Sequence, residues 1–307
     1  MATKNEISQR ILTAKNGAQD SVRKDFLSEL ANYTGRDTIL YCSAYTTPQQ
    51  TGVPSEALSL VTGDMQGFMS ALHVLHNQNL DLIIHSPGGS VEAAEQVISY
   101  LRTKYTHIRA IIPQNAMSAA TMLACACDEI IMGKHSAIGP IDPQITFPMQ
   151  NGQLFTAPAH SILSEFEKAK REILANPGFA PLWIPKVSSW PPAILDICEQ
   201  TIELAKTKVE NWLESYMFVG QADAHAKARN IADWLGTYSN HLTHGRPIPI
   251  AVAQDKGLIV TALEDDQNLQ EKVLSVFHAA VVTFEVTNCV KIIENQHGVG
   301  TYITVKR

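Results

Sequence analysis

The chain has 307 residues, of which 45% are apolar, enough to bury a sizeable core as one large domain or a domain with an appendage; this excludes a disordered adaptor. Its 24 basic and 30 acidic residues leave a formal charge of −6 with no long block of one sign, so no electrostatic footprint for nucleic acid is expected. No run of about 20 apolar residues occurs, and the opening MATKNEISQRILTAKNG lacks the apolar centre of a secretory signal, so a soluble, cytoplasmic protein without a transmembrane segment is expected.

Residues 5–34 read as helical, and the β-prone run TILYCSAY over 38–45 reads as a first strand. A polar loop with two prolines, TTPQQTGVPSE, leads to a helix around Met65 to His76. A regular alternation follows: strand LDLIIHS, glycine turn PGG, helix VEAAEQVISYLRTKY, strand HIRAIIP, loop QNAM, helix SAATMLACACD, strand EIIMG. Short apolar strands alternating with helices of this length predict a parallel sheet flanked by helices. After Gly133 the pattern changes, and Asn151-Gly152 between two β-prone runs predicts a hairpin. From Ser161 onward the chain reads as mainly helical: SILSEFEKAKREIL, a connector PLWIPKVSSWPP, a long helix from Ala193 to about Tyr216, a helical piece from Ala222 to Leu235, then a loop SNHLTHGRPIPI. This suggests three parts: an N-terminal helical segment (1–37), an α/β core (38–160) and a C-terminal region (161–307) that caps the sheet or mediates assembly.

Five cysteines (Cys42, Cys125, Cys127, Cys198, Cys289) are odd in number and lie mostly in apolar runs, which suits reduced core thiols. Cys125-x-Cys127 has the wrong spacing for a zinc knuckle. His241 and His244 could suggest a metal pair, but no spacing marks a third ligand, and no metal is expected. No P-loop or dinucleotide fingerprint appears, so no cofactor is implied.

The chemistry-bearing signal is a pair of strand-to-helix turns separated by one βα unit. In Ser86-Pro87-Gly88-Gly89-Ser90 two adjacent glycines expose backbone N–H groups and permit close approach, the build of an oxyanion hole. Ser118 stands where IRAIIP gives way to a helix, near the positive end of that helix's dipole. Amides of Gly88 or Gly89 and of Ala119 could hold an oxyanion formed on Ser118, each donor lowering the barrier by roughly 3 kcal/mol. Taken singly, Pro-Gly-Gly is a common turn and a serine at a helix start is an ordinary N-cap. Their joint occurrence at the carboxyl ends of neighbouring strands, with Ala116, Ala119 and Ala120 around the serine, favours a site.

These runs, DLIIHSPGGSVEAAEQVISYLR and AIIPQNAMSAATMLACACDEIIMGKHSAIGPIDPQI, resemble the core of the Clp protease proteolytic subunit and signal-peptide-peptidase A superfamily. Within it the chain is most similar to the serine dehydrogenase proteinase (SDH) family of Clp-fold serine proteinases, with TFEVTNCVKIIENQHG and HLTHGRPI extending the likeness. The resemblance implies an α/β fold, a crotonase/Clp-like spiral of ββα units with a mainly helical C-terminal appendage. It further implies Ser118 as nucleophile, an oxyanion hole at Gly88 and Gly89, a peptide or protein substrate cleaved without ATP, and a homo-oligomer.

A serine hydroxyl needs a base. The segment where Clp-type subunits carry a histidine offers Asp142 instead, and the place where signal-peptide-peptidase relatives use a lysine holds His160. The order Ser, Asp, His ascribed to the SDH family is satisfied by Ser118, Asp142 and His160, with Asp142 orienting the imidazole. His241, His244 and Lys170 remain competing bases. Two other functions stay open: a thioester enzyme of crotonase type that holds an enolate on paired amides, and an inert scaffold.

Overall fold

The computed structural model describes residues 3–13, 18–47, 52–148 and 153–305. The strands in chain order are β1 (Asp37–Ser43), β2 (Asn79–His85), β3 (His107–Ile112), β4 (Asn115–Ala116), β5 (Glu129–Met132), β6 (Ala137–Ile138), β7 (Gln144–Pro148), β8 (Leu154–Pro158), β9 (Ile248–Pro249), β10 (Val260–Ala262), β11 (Cys289–Asn295) and β12 (Gly300–Thr304). Seven of them form one sheet in the order β10-β5-β3-β2-β1-β11-β12. From β10 to β1 all neighbours run parallel, while β11 is antiparallel to β1 and β12 to β11.

The sheet is covered on both faces, which explains why its strands read as continuous apolar runs rather than alternating ones. The alternation is still present in space. Ile39 and Tyr41 of β1 face one core with Leu80, Leu82 and Ile84 of β2, while Leu40, Cys42 and Ile83 face the other. The first core is closed by the helices Met65–Leu72, Val91–Arg102 and Ala119–Cys125, together with Ile194–Trp212 and Ala224–Gly236. The second is closed by Ala18–Thr34 and Gln267–Val286, the latter a helix whose buried side extends from Leu269 to Phe284.

The protein is thus a mixed α/β structure with a central sheet. The region after residue 160 is helical over most of its length, as expected, and it also supplies strands to both margins of the sheet. The run CVKIIEN becomes β11, beside β1 in the sheet's interior, with all seven residues buried. Its polar members are buried with partners: Lys291 with Asp64, Glu294 with Arg23, and Asn295 with the Ala71 carbonyl. The expected connector PLWIPKVSSWPP contains a short helix, Ala180–Ser188, whose Pro181 falls in the first turn where no amide is needed. β7 and β8 pair antiparallel as the predicted hairpin; the Asn151-Gly152 turn itself lies outside the described residues. All five cysteines are buried and free, and burial pushes the Cys125 and Cys127 thiols up to about 12. No helix among the described residues is long and apolar enough to cross a membrane.

A second, small sheet organises the site. In it β6 lies between β4, to which it is parallel, and β9, to which it is antiparallel. β4 ends just before Ser118, β6 just before Asp142, and β9 begins just after His244, so three distant segments converge on one place.

Candidate active site

Two serines open helices in this region and behave differently. Ser90, ahead of Val91–Arg102, has an extended backbone (φ −76°, ψ 135°) and its hydroxyl accepts from the Ala93 amide, an ordinary N-cap. Ser118, ahead of Ala119–Cys125, has φ 53° and ψ −123° and makes no capping bond with its side chain. A non-glycine residue in that region costs about 1–3 kcal/mol and persists only where its surroundings hold it. Here they do. Ser86 and Ala116 form a bridge closed by Ser86 N–H to the Asn115 carbonyl and Met117 N–H to the Ser86 carbonyl, both 3.0 Å. The buried Thr121 hydroxyl donates to the Ala116 carbonyl at 2.8 Å and accepts from the Gly139 amide at 2.9 Å. The outcome is a serine hydroxyl turned away from capping and toward a cavity.

The diglycine turn packs directly on that elbow. Gly88 (φ +94°) comes so close that a Cβ on it would lie 2.6 Å from Ser118 Cβ and 2.9 Å from the Ala119 nitrogen, besides striking the Met117 carbonyl. A Cβ on Gly89 (φ +151°) would meet the Leu60 backbone, because Leu60 N–H donates to the Gly88 carbonyl at 2.6 Å and Ser90 N–H to the Leu60 carbonyl at 2.9 Å. Only glycine fits either position. The Gly88 amide is committed to Ser86 Oγ at 3.1 Å. Among the described residues the amides of Gly89 and Ala119 donate to no protein acceptor. The expectation that Gly88 supplies a donor therefore narrows to Gly89 and Ala119, with Gly88 allowing the close approach.

A cavity of about 430 Å³ lies over these groups, lined by Gly88, Gly89, Ser118 and His244 together with apolar Val91, Met122, Ile141 and Leu204. His244 Nδ1 stands 2.9 Å from Asp142 Oδ1. Asp142 is fully buried, and its other oxygen accepts from Gln144 Nε2 at 2.9 Å. With Nδ1–H donating to the carboxylate, the Nε2 lone pair is left able to accept a proton.

His160 is not brought to this place. Its Nε2 meets the Gly236 carbonyl at 3.1 Å, and it lines a separate polar cavity with Ser161, Glu165 and Lys168. The expected pairing of His160 with Asp142 is therefore corrected: Asp142 is engaged by His244, presented from the loop between the short helix Tyr238–His241 and β9. The other competing bases are placed elsewhere too. His241 is buried, bonded to the Trp234 carbonyl at 2.8 Å and edge-on to the Trp234 ring, and burial lowers its pKa. Lys170 is half exposed and paired with Glu167 at 2.8 Å. Among the described residues no group of three or more His, Cys, Asp or Glu side chains could hold a metal, so the His241/His244 spacing has no third ligand.

The uncharacterized proteins MJ0137 and MJ1495 of Methanocaldococcus jannaschii are 31% and 33% identical over 194 and 183 residues, covering 63% and 59% of this chain and 56% and 51% of theirs. The chain thus spans about half the length of the curated relatives it matches. Similar solved structures include two mutants of the 1510-N membrane-bound stomatin-specific protease, one serine-to-alanine and one lysine-to-alanine in complex with a substrate peptide. Both are 15% identical, with TM-scores of 0.41 and 0.40, covering 70% and 81% of this chain and 79% and 83% of theirs. The model of the ClpP-like, SDH-type serine proteinases matches residues 61–281, well over half of the chain. The chain belongs to that family of serine proteinases.

Proposed function

We propose that the protein is a serine peptidase that cleaves peptide bonds through an acyl-enzyme, with Ser118 as nucleophile, His244 as general base and Asp142 as its orienting carboxylate. The observation that carries this reading is that His244 holds the buried Asp142 while lining one cavity with Ser118 and Gly89. His244 Nε2 takes the Ser118 proton as Oγ attacks the carbonyl carbon, and the amides of Gly89 and Ala119 receive the negative oxygen. The same nitrogen then returns the proton to the departing amine, the carbon–nitrogen bond breaks, and water repeats the sequence to release the acid. None of these steps calls for ATP or a cofactor. An enzyme that only held an enolate on two amides would have no use for a strained serine or for a histidine on a buried carboxylate.

The spiral arrangement of the Clp and crotonase folds, a homo-oligomeric assembly and a cytoplasmic setting belong to the same reading. Exposed apolar side chains after residue 160, Leu174, Phe179, Leu182 and Ile184, support assembly. The test is turnover of a fluorogenic peptide library by wild type and by Ser118→Ala. The reading expects cleavage that disappears in the variant, and equal turnover by both would reject it.

A further inference from the structure

His244 borders two cavities. Besides the one it shares with Ser118, a second of about 460 Å³ is lined by Tyr45, Asn115, Met117, Gly245 and Pro247, and it has both His244 and Pro87 in common with the first. Apart from Asn115 and the histidine, the side chains bounding it are two prolines, a methionine and a tyrosine. Its size falls in the range of about 300–1,000 Å³ usual for small-ligand sites, ample for one large side chain.

The chemistry of the reaction decides what enters each. The carbonyl under attack must lie over Ser118 and the free amides of Gly89 and Ala119, which places the acyl portion of the substrate in the first cavity. The amine that leaves must receive its proton from His244, so it lies against the imidazole, and the residue bearing that amine continues past it. We propose that the second cavity binds the side chain of the residue whose amine is released, and that it selects a large apolar side chain there. This rests on the serine-peptidase reading and adds a substrate preference to it. The balance is that of acylation: the Ser118 oxygen–carbon bond forms, the carbon–nitrogen bond breaks, and the serine proton leaves on the amine through His244.

Gly245 offers a way to close the cavity. A Cβ built on it meets nothing within 4 Å, and its φ lies outside the left-handed region, so a side chain there projects into open space. The experiment compares two fluorogenic peptides alike except that leucine or glycine supplies the released amine, for wild type and for Gly245→Leu. Wild type is expected to favour the leucine peptide by about 10-fold or more in kcat/KM, the range that filling an apolar pocket gives. In Gly245→Leu the ratio is expected to fall toward one; being a ratio within one enzyme, it is immune to a general loss of activity. Equal use of the two peptides by wild type, or an unchanged ratio in the variant, would overturn the assignment. A methyl ester of the same acyl group separates the two readings. If wild type cleaves the ester while the two peptides show no leucine preference, the pocket assignment alone fails. If wild type cleaves neither peptide nor ester, both readings fail together.

Discussion

His244 Nδ1 lies 2.9 Å from Asp142 Oδ1 across 102 residues of sequence, the carboxylate fully buried and the imidazole one quarter exposed. The pair fixes which ring nitrogen bears the proton. In Asp142→Asn the amide can present its NH₂ to Nδ1 and turn the ring to the wrong tautomer while keeping the fold. A loss of about 10⁴ in kcat with little change in KM is expected, as in other triads. Circular dichroism and peptide kinetics check it; a loss confined to KM would deny Asp142 this role.

The elbow at Ser118 depends on Thr121. Replacing it with valine removes the hydroxyl that the Ala116 carbonyl and the Gly139 amide share, leaving two buried backbone groups unmatched at about 1–3 kcal/mol each. Thr121→Val is expected to lower stability to urea by that order and to slow Ser118 acylation, with Thr121→Ser restoring both.

Lys291 is fully buried in the interior strand β11, and its ammonium reaches Asp64 at 2.9 Å and the Ser59 carbonyl at 2.6 Å. Tyr41 donates to the same carboxylate. This network anchors the segment whose Leu60 pairs with Gly88 and Ser90. Lys291→Met leaves a buried carboxylate without its counter-charge, and a loss of about 3–5 kcal/mol is expected in urea unfolding. Lys291→Met combined with Asp64→Asn removes the orphaned charge and is expected to recover part of it.

His85 gives a pH dependence. Its Nδ1 accepts from the Asn115 amide at 3.3 Å and its Nε2 lies 3.1 Å from the Thr46 hydroxyl, so the neutral ring is satisfied on both sides. Burial lowers its pKa to about 3. The unfolded chain titrates near 6.5, so between these values the unfolded state binds the extra proton. The contribution is complete above about pH 6.5 and is lost as pH falls, by up to about 1.4 kcal/mol per unit. Unfolding free energies at pH 7 and pH 5 should show the loss, and His85→Gln should flatten it.

The parallel strands were legible because LDLIIH, HIRAII and EIIM are short apolar runs separated by helices, and such runs have few other places to go. Ser118 and the diglycine were legible because each lies on a local strand-to-helix turn. β11 was not recognisable as an interior strand, since Lys291, Glu294 and Asn295 look like surface residues until their distant partners are in place. His244 was harder still. The order Ser, Asp, His is met equally by His160 and His244, and what separates them is β9, a two-residue strand with a proline that has no periodic signature and acts only by pairing with β6. A Pro-rich strand end close behind a histidine in HLTHGRPIPI was the available clue.

The central claim, that His244 rather than His160 activates Ser118, is tested most directly by the rate at which a fluorophosphonate labels Ser118, followed by intact mass in wild type, His244→Ala and His160→Ala. Labelling is expected to slow by about 10²–10⁴ in His244→Ala, the usual worth of a general base, and to continue at the wild-type rate in His160→Ala. Loss of labelling in His160→Ala with His244→Ala unaffected would contradict it.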